Sequence, residues 1–160
     1  MKNIAKNNIG YTGIVTISRY SKNKKTEIAK VYNQGRNPLF DFLADCLVGD
    51  FSKADASMPD KIRLVYVNGD ESSAASGFIH SMAAPEKITR NNESCARYSF
   101  LITPDNIERS FNRICLYTRS AKYDQLDDCA AFCDIDQIDG SGRAAGASII
   151  VDWELIISNA

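Results

Sequence analysis

Apolar and polar positions alternate over several short stretches of this chain, which is the pattern of β-strands with one buried face. The clearest example is "ASIIVDWELIISN", residues 147–159. One face of this stretch carries Ile149, Val151, Trp153, Leu155 and Ile157. The opposite face carries Asp152, Glu154 and Ser158. We therefore predict a strand whose apolar face packs into a core around Trp153.

The same alternation recurs upstream. Residues 10–20 and 26–33 are predicted to form a first hairpin, joined by the polar loop "SKNKK" at 21–25. Further predicted strands cover residues 61–67, 77–82, 95–102, 109–120 and 127–136. Short strands separated by polar turns indicate a mainly β fold, namely an antiparallel sandwich or a jelly roll. We expect one such domain over residues 1–160.

Two pairs of turn-forming residues mark chain reversals. Asn68-Gly69 follows the strand at 61–67 and is typical of a hairpin turn, because both residues tolerate a positive φ. Asp139-Gly140 is a second favoured turn pair, ahead of the last strand.

One segment, "NPLFDFLADCLVGD", departs from the strand pattern. Asn37 suits a helix N-cap, Pro38 the first turn and Gly49 the position after the C-cap. The apolar positions at helical spacing are Leu39, Phe42, Leu43, Cys46 and Leu47. We predict one amphipathic helix over about 37–48 that faces the sheet, followed by a surface loop at 52–60.

The composition narrows the choice of partners. The 160 residues carry a net charge of −1, which gives no global attraction to nucleic acid or to an anionic membrane. No window approaches the roughly 18 apolar residues that a membrane helix requires.

Residues 1–8, "MKNIAKNN", are polar. Two interpretations of them stay open: a flexible arm that docks on a neighbouring subunit, and a frayed terminus. These residues lack the apolar run of a signal peptide.

The predicted tip of the first hairpin is locally basic. It carries Arg19, Lys22, Lys24 and Lys25, with Tyr20 among them. A nucleic-acid contact and a solvated hairpin tip both fit this pattern. We favour the solvated tip.

The five cysteines indicate reduced thiols, because their number is odd and no secretory signal accompanies them. Cys129 and Cys133 are four residues apart, a spacing that places them on one face of a strand or a helix. Without a second pair or a nearby histidine they do not form a zinc site.

The stretch "CDIDQIDGSGR", residues 133–143, resembles a calcium loop in its spacing of aspartates. In an EF-hand loop that starts at Asp134, the fifth, sixth and twelfth positions are Ile138, Asp139 and Ala145, where an oxygen ligand, glycine and glutamate are required. We therefore interpret the stretch as a turn. A non-standard cation site at Asp134, Asp136 and Asp139 remains the alternative.

The sequence gives little indication of a catalytic site. His80 is the one histidine, it falls in a predicted strand, and no nucleophile is placed beside it. No glycine-rich phosphate loop joins a strand to a helix. We assign no catalytic, cofactor-binding or metal residues and expect a non-enzymatic protein.

The order of three stretches resembles that of small structural proteins of tailed bacteriophages, including crAss-like phages. These are "VYNQGRNPLFDFLADCLVGD", then "MPDKIRLVY", then "SIIVDWELIISN". The resemblance implies a component of the virion, made in the cytoplasm of the host bacterium: a ring in the neck or tail, or a capsid-associated protein. It also implies partners among other virion proteins and further copies of the chain.

A carbohydrate-binding or host-surface-binding β-sandwich module is the alternative function. Such modules present exposed aromatic side chains on a face or a loop. Most aromatic residues of this chain fall at strand positions that alternate with polar ones, which favours a core location.

Overall fold

The computed structural model describes residues 9–68, 75–121, 128–138 and 147–159. Its strands are β1 Ile9–Ser21, β2 Lys24–Tyr32, β3 Gln34–Gly35, β4 Pro59–Tyr66, β5 Ile79–His80, β6 Glu86–Arg90, β7 Glu93–Ile102, β8 Phe111–Thr118, β9 Ala131–Ile138 and β10 Ser148–Asn159. Two helices, α1 Asn37–Leu47 and α2 Phe51–Ser57, lie between β3 and β4. A short 3-10 turn covers Pro104–Asn106.

The strands form two antiparallel sheets. Sheet A has the order β2-β1-β10-β7-β6, and sheet B has the order β3-β9-β8-β4-β5. The prediction of a mainly β sandwich is therefore confirmed.

The core lies between the inner faces of the two sheets. Alternating apolar positions of β4, β7 and β10 are buried there: Ile62, Leu64, Tyr66, Tyr98, Phe100, Ile102, Ile149, Val151, Trp153 and Leu155. Trp153 and Phe100 are fully buried, so alternation along these three strands identifies the core correctly.

Two hairpins close through tight asparagine turns. Lys22 and Asn23 have φ of 49° and 61°, and Asn91 and Asn92 have φ of 50° and 66°. Asparagine tolerates this left-handed region better than most residues. The first turn is shorter than the predicted loop 21–25, because both strands extend to the turn itself. The second hairpin, β6–β7, was not predicted.

The other predicted turns fall partly outside the described residues. Asn68 has φ of 60°, as its turn position requires. Ala75 then pairs with Val65 in an antiparallel bridge, which is consistent with a chain reversal after β4. Gly69, the pair Asp139-Gly140 and the proposed arm 1–8 lie outside the described residues.

Helix α1 agrees with the prediction in its extent but differs in its capping. Arg36 is the N-cap and makes no side-chain capping bond, and Asn37 is already helical. Gly49 has φ of 75° just after the helix, as expected. Leu39 is buried, whereas Leu47 is 76% exposed, so the predicted stripe faces the sheet only in part.

The predicted loop at 52–60 is wrong, because helix α2 occupies most of it. The Asp50 carboxylate accepts a hydrogen bond from the backbone N–H of Lys53 at 3.2 Å and caps this helix. Pro59 then starts β4. In the sequence, Asp50 ahead of the short alanine-containing stretch 51–57 could have indicated this helix.

The side chain of Asn33 anchors the chain on sheet A at the point where it passes from β2 to β3. With its amide oriented to satisfy its neighbours, it donates to the Gly13 carbonyl oxygen at 3.0 Å. Its oxygen accepts from Trp153 Nε1 at 2.9 Å. The Asn33 backbone N–H also donates to the Gly13 carbonyl oxygen, at 3.0 Å. The buried indole of Trp153 thereby gains an acceptor.

Gly13 is required by this arrangement. A Cβ atom at position 13 would lie 1.5 Å from the side-chain amide of Asn33 and 2.5 Å from the Tyr11 hydroxyl. The space that a side chain would need is thus already taken by the polar cluster.

We expect Asn33→Ala to lower the free energy of unfolding by about 1–3 kcal/mol, because it leaves the Trp153 indole N–H without its acceptor. Gly13→Ala should destabilise by a similar amount through overpacking. The double variant should lose less than the sum, since removing the amide removes the closer of the two clashes and leaves only that with the Tyr11 hydroxyl. Urea denaturation followed by fluorescence of the one tryptophan measures all three.

Gly77→Ala is the matched control, because no atom lies within 4 Å of the added Cβ. We expect its effect to stay within about 0.5 kcal/mol. Additive losses at Gly13 and Asn33 would contradict the proposed contact.

Candidate functional site

The outer face of sheet A holds a charged groove of about 270 Å³. Its walls are Thr16, Ser18, Lys25, Glu27, Arg97, Asp152 and Glu154. Asp152 and Glu154 are buried, although alternation placed them on the polar face of their strand. β10 is the central strand of sheet A, so Arg97 of the neighbouring strand β7 and Lys25 of the edge strand β2 reach over its outer face.

Each of the two cations of this groove pairs with one of its carboxylates, and the third carboxylate, that of Glu27, is exposed. The Asp152 carboxylate accepts hydrogen bonds from Lys25 Nζ at 2.8 Å and from Ser99 Oγ at 2.6 Å. Arg97 Nε lies 3.4 Å from Glu154 Oε1, and the Glu154 side chain is 2% exposed. An internally paired groove of this kind favours no ligand of one charge, and we interpret it as structural.

The pKa of Asp152 reflects these contacts. Burial acts to raise it, but the hydrogen bonds from Lys25 and Ser99 outweigh burial and hold the pKa below its ordinary value.

Acid should therefore weaken this part of sheet A. Because the folded pKa of Asp152 lies below the unfolded value of about 3.9, its contribution is complete above that pH and is lost as the pH falls through the folded pKa. We expect Asp152→Asn to flatten the decline of stability below about pH 4. Urea midpoints measured from pH 6 to 2 check this, with exposed Asp41→Asn as control. The prediction would be contradicted if the stability of the wild type and that of Asp152→Asn declined identically as the pH falls.

A second groove, of about 380 Å³, separates α1 from β6 and β7. Its walls are mostly apolar and include Phe42, Leu43, Pro85, Tyr98 and Leu155. Cys46 also lines it, and burial together with the Asp45 carboxylate raises the pKa of that thiol. A protonated thiol is a weak nucleophile, so the groove is better suited to contact than to covalent chemistry.

The junction of the two helices exposes large apolar side chains. Leu47, Val48 and Phe51 are 76%, 78% and 76% exposed. We name these three residues the apolar corner. Clustered apolar side chains on a surface mark sites of protein contact.

Two cationic side chains lie over a small apolar cluster on the outer face of sheet B. Val65, Cys115, Tyr117 and Cys129 are buried in it. Lys61 Nζ and the Arg63 guanidinium carbon lie 4.6 and 5.2 Å from the centre of the Phe78 ring, which packs on this cluster. These cation–π contacts account for two buried cations on an outer face.

The cysteine prediction needs correction. Cys129 belongs to this outer cluster, whereas Cys133 lies in the main core, so the two are not on one face. Ala130 and Ala131 both enter the main core, which breaks the alternation just before β9. All five cysteines are free thiols, and four of them are buried.

The Cys115–Cys129 hydrogen bond raises the pKa of Cys115 and lowers that of Cys129. Sequence reasoning missed this pair, because the cysteines are 14 positions apart in the chain and no local pattern indicates their proximity.

The other residues singled out in the sequence lie apart from one another. His80 is exposed on β5. Asp134 and Asp136 lie on β9 rather than in a loop, and Arg113 Nε lies 2.6 Å from Asp134 Oδ1. Asp139 lies outside the described residues. Within the described ranges, no group of three His, Cys, Asp or Glu residues could hold a metal ion.

The basic hairpin tip is partly used within the fold. Lys25 reaches into the charged groove to Asp152, and the Tyr20 hydroxyl donates to Asn23 Oδ1 at 3.3 Å. Arg19, Lys22 and Lys24 remain exposed.

Comparisons with protein-family profiles, with curated proteins and with solved structures find no match in any of the three. In the described part of the chain, no helix has the length and apolar character of a membrane span.

Proposed function

We propose that this chain is a non-enzymatic structural component of a phage virion, either a neck or tail ring protein or a capsid-associated protein. It assembles through contacts with other virion proteins and with its own copies, in the cytoplasm of the host. The resemblance in layout suggests the virion, and the apolar corner is the observation that supports assembly.

The exposure of the apolar corner is costly in an isolated subunit. Fully covering a leucine, valine or phenylalanine side chain contributes about 1.5–3 kcal/mol for each residue. Leu47, Val48 and Phe51 together therefore offer several kcal/mol to a partner that covers them. The helical turn that ends α1 and the cap of α2 at Asp50 hold them on ordered backbone. Such preorganisation lowers the entropic cost of binding.

The apolar groove beside α1 adds a second contact on the same helix. Phe42 and Leu43 line it, five and four residues before Leu47 of the apolar corner. This arrangement fits a contact in which a flat surface of another virion protein covers the apolar corner. One apolar side chain of that protein then inserts into the groove.

We expect the untagged protein to form a discrete oligomer whose population rises with concentration. Leu47→Ser together with Phe51→Ser should raise its dissociation constant at least about tenfold, because two anchors of the contact lose their apolar area. Native mass spectrometry over a concentration series measures this. Met82→Ser, also at an exposed apolar residue, is the matched control and should leave the oligomer unchanged. A monomer at every concentration would contradict self-assembly.

A glycan-binding or host-surface-binding module is the second candidate, and the exposure of one aromatic residue favours it. Tyr32 is 75% exposed at the end of β2, where its ring could stack on a sugar face. Phe40 is also exposed.

If the protein binds glycans through this aromatic, an array of glycans should give signals that Tyr32→Ala abolishes. Tyr20→Ala, at an exposed tyrosine elsewhere on the same sheet, should retain them. An array without any signal above background would exclude this second function for the glycans tested.

A further inference from the structure

Two buried thiols lie side by side on the outer face of sheet B. The backbone N–H of Ala130 donates to the Leu116 carbonyl oxygen at 2.7 Å, which places the chain ahead of β9 beside β8. Because Ala130 and Ala131 both enter the main core, Cys129 comes to the outer face, where Cys115 lies. The Cys115 thiol donates a hydrogen bond to the Cys129 sulfur. The two sulfur atoms are therefore close together in the reduced fold.

Positive charge lies next to one of these two thiols. The backbone N–H of Arg36 donates to the Ala130 carbonyl oxygen at 2.8 Å, and its side chain hydrogen-bonds the Cys129 sulfur. The hydrogen bond from Cys115, together with the charges of Arg36 and Arg113, lowers the pKa of Cys129 against the effect of burial. The same thiol–thiol bond raises the pKa of Cys115. Cys129 is thus favoured as the nucleophilic thiolate, while Cys115 keeps its proton.

The side chains around this pair reach the solvent. Cys115 and Cys129 are 2% and 1% exposed. Phe78 and Phe132 pack against their cluster, and both of these rings are half-buried, as is Arg36. A small oxidant therefore needs only a local movement of these side chains to reach the sulfur atoms.

The other three cysteines differ from this pair in their surroundings. Cys133 lies in the main core, and burial raises the pKa of its thiol to about 12. At Cys46, desolvation and the Asp45 carboxylate raise the pKa. The Cys95 thiol, in sheet A, donates to the Glu154 carboxylate at 3.9 Å. Cys46 and Cys133 therefore favour the protonated thiol, which is a weak nucleophile.

We propose that Cys115 and Cys129 are an oxidisable dithiol, which hydrogen peroxide converts to a disulfide between β8 and the segment ahead of β9. Both are free thiols in the fold described above. The bond closes a loop over residues 115–129 and crosslinks two segments that already lie together in sheet B.

The reaction proceeds in two steps. The Cys129 thiolate attacks one oxygen of hydrogen peroxide, the O–O bond breaks and hydroxide leaves, which yields a sulfenic acid at Cys129. The Cys115 thiol then attacks this sulfur, the S–S bond forms and the S–O bond breaks. The proton of Cys115 leaves with the sulfenic hydroxyl group as water. In total, two thiols and one hydrogen peroxide give one disulfide and two water molecules, and two electrons pass from sulfur to oxygen.

The crosslink stabilises the fold, because it restricts the unfolded chain. The cytoplasm of a bacterium keeps thiols reduced, so the bond forms once the protein meets an oxidising medium. For a component of a virion this happens after release from the host, a consequence that rests on the proposed function. The reaction itself does not depend on assembly, so a protein that stays monomeric can still form the bond.

Peroxide treatment of the folded, full-length protein tests the proposal. After a brief exposure, the protein is denatured and its remaining thiols are alkylated. We expect the wild type to lose two hydrogen atoms and to accept three alkyl groups rather than the five of the reduced chain. Mass spectrometry of peptides should then identify the bond between Cys115 and Cys129.

Substitutions separate the roles of the two thiols. Cys115→Ser should form no disulfide and should accumulate a sulfenic acid at Cys129 that dimedone traps. Cys129→Ser should form neither product at these two positions. Cys46→Ser, at an exposed thiol, and Cys95→Ser, at a buried one, are the matched controls and should form the disulfide as the wild type does.

Two further measurements need no cysteine variant to fold differently. Oxidation of the wild type should raise its melting temperature by about 5–10 °C, and a dithiol reductant should reverse the rise. Arg36→Gln should slow the formation of the disulfide about threefold or more, because the thiolate of Cys129 loses a stabilising charge. Arg36→Lys, which keeps the charge, should restore part of the rate. Fluorescence of Trp153 confirms that each variant is folded.

Three outcomes would overturn the proposal. The first is oxidation of Cys46 or a disulfide between two chains, with Cys115 and Cys129 still reduced. The second is a disulfide that forms only in urea, which would show that the folded protein does not carry out the reaction. The third is a sulfenic or sulfinic acid at Cys129 of the wild type without any disulfide. None of these results would affect the proposed assembly function, which the oligomeric state tests.

Discussion

The hydrogen bonds of the Asn33 side chain anchor the chain on sheet A at the point where it crosses to sheet B. This residue lies where the chain leaves β2 in sheet A and enters β3 in sheet B. Its amide bonds the carbonyl of Gly13 on β1 and the indole of Trp153 on β10. Because Trp153 is fully buried in the core, one polar side chain fixes both the crossing point and the central aromatic residue. Only glycine fits at position 13, because the Asn33 amide fills the space that a side chain would need.

The same crossing determines which strands meet on one side of the sandwich. By carrying the chain from one sheet to the other, it closes the sandwich beside the start of β9, where β3 pairs with Ala131 and Phe132. The rest of β9 pairs with β8 on one side and lines a groove with β2 on the other. β2 lies next to this groove with the opposite charge to β9. The crossing at Asn33 therefore also shapes the groove between β2 and β9.

Charged residues cover the outer faces of both sheets. On sheet A, Lys25 and Arg97 pair with Asp152 and Glu154. On sheet B, Lys61 and Arg63 stack on Phe78. Both sets satisfy their charges within the chain, since buried ions require partners. The surfaces that remain for partners are the apolar corner, the groove beside α1 and the strand edges, all of which suit contact with protein.

Local pattern determined much of the fold: alternation in β4, β7 and β10 identified the core around Trp153, and Pro38 and Gly49 bounded α1. The sequence reveals these features because the spacing of residues within one strand or helix determines which side chains share a face. Only the tertiary structure decided that β10 is the central strand of sheet A, so that Asp152 is buried and paired with Lys25, 127 residues away. It also decided that β2 and β9 share one side of the sandwich. Strand order depends on pairings between distant segments, which the alternation within one segment does not encode.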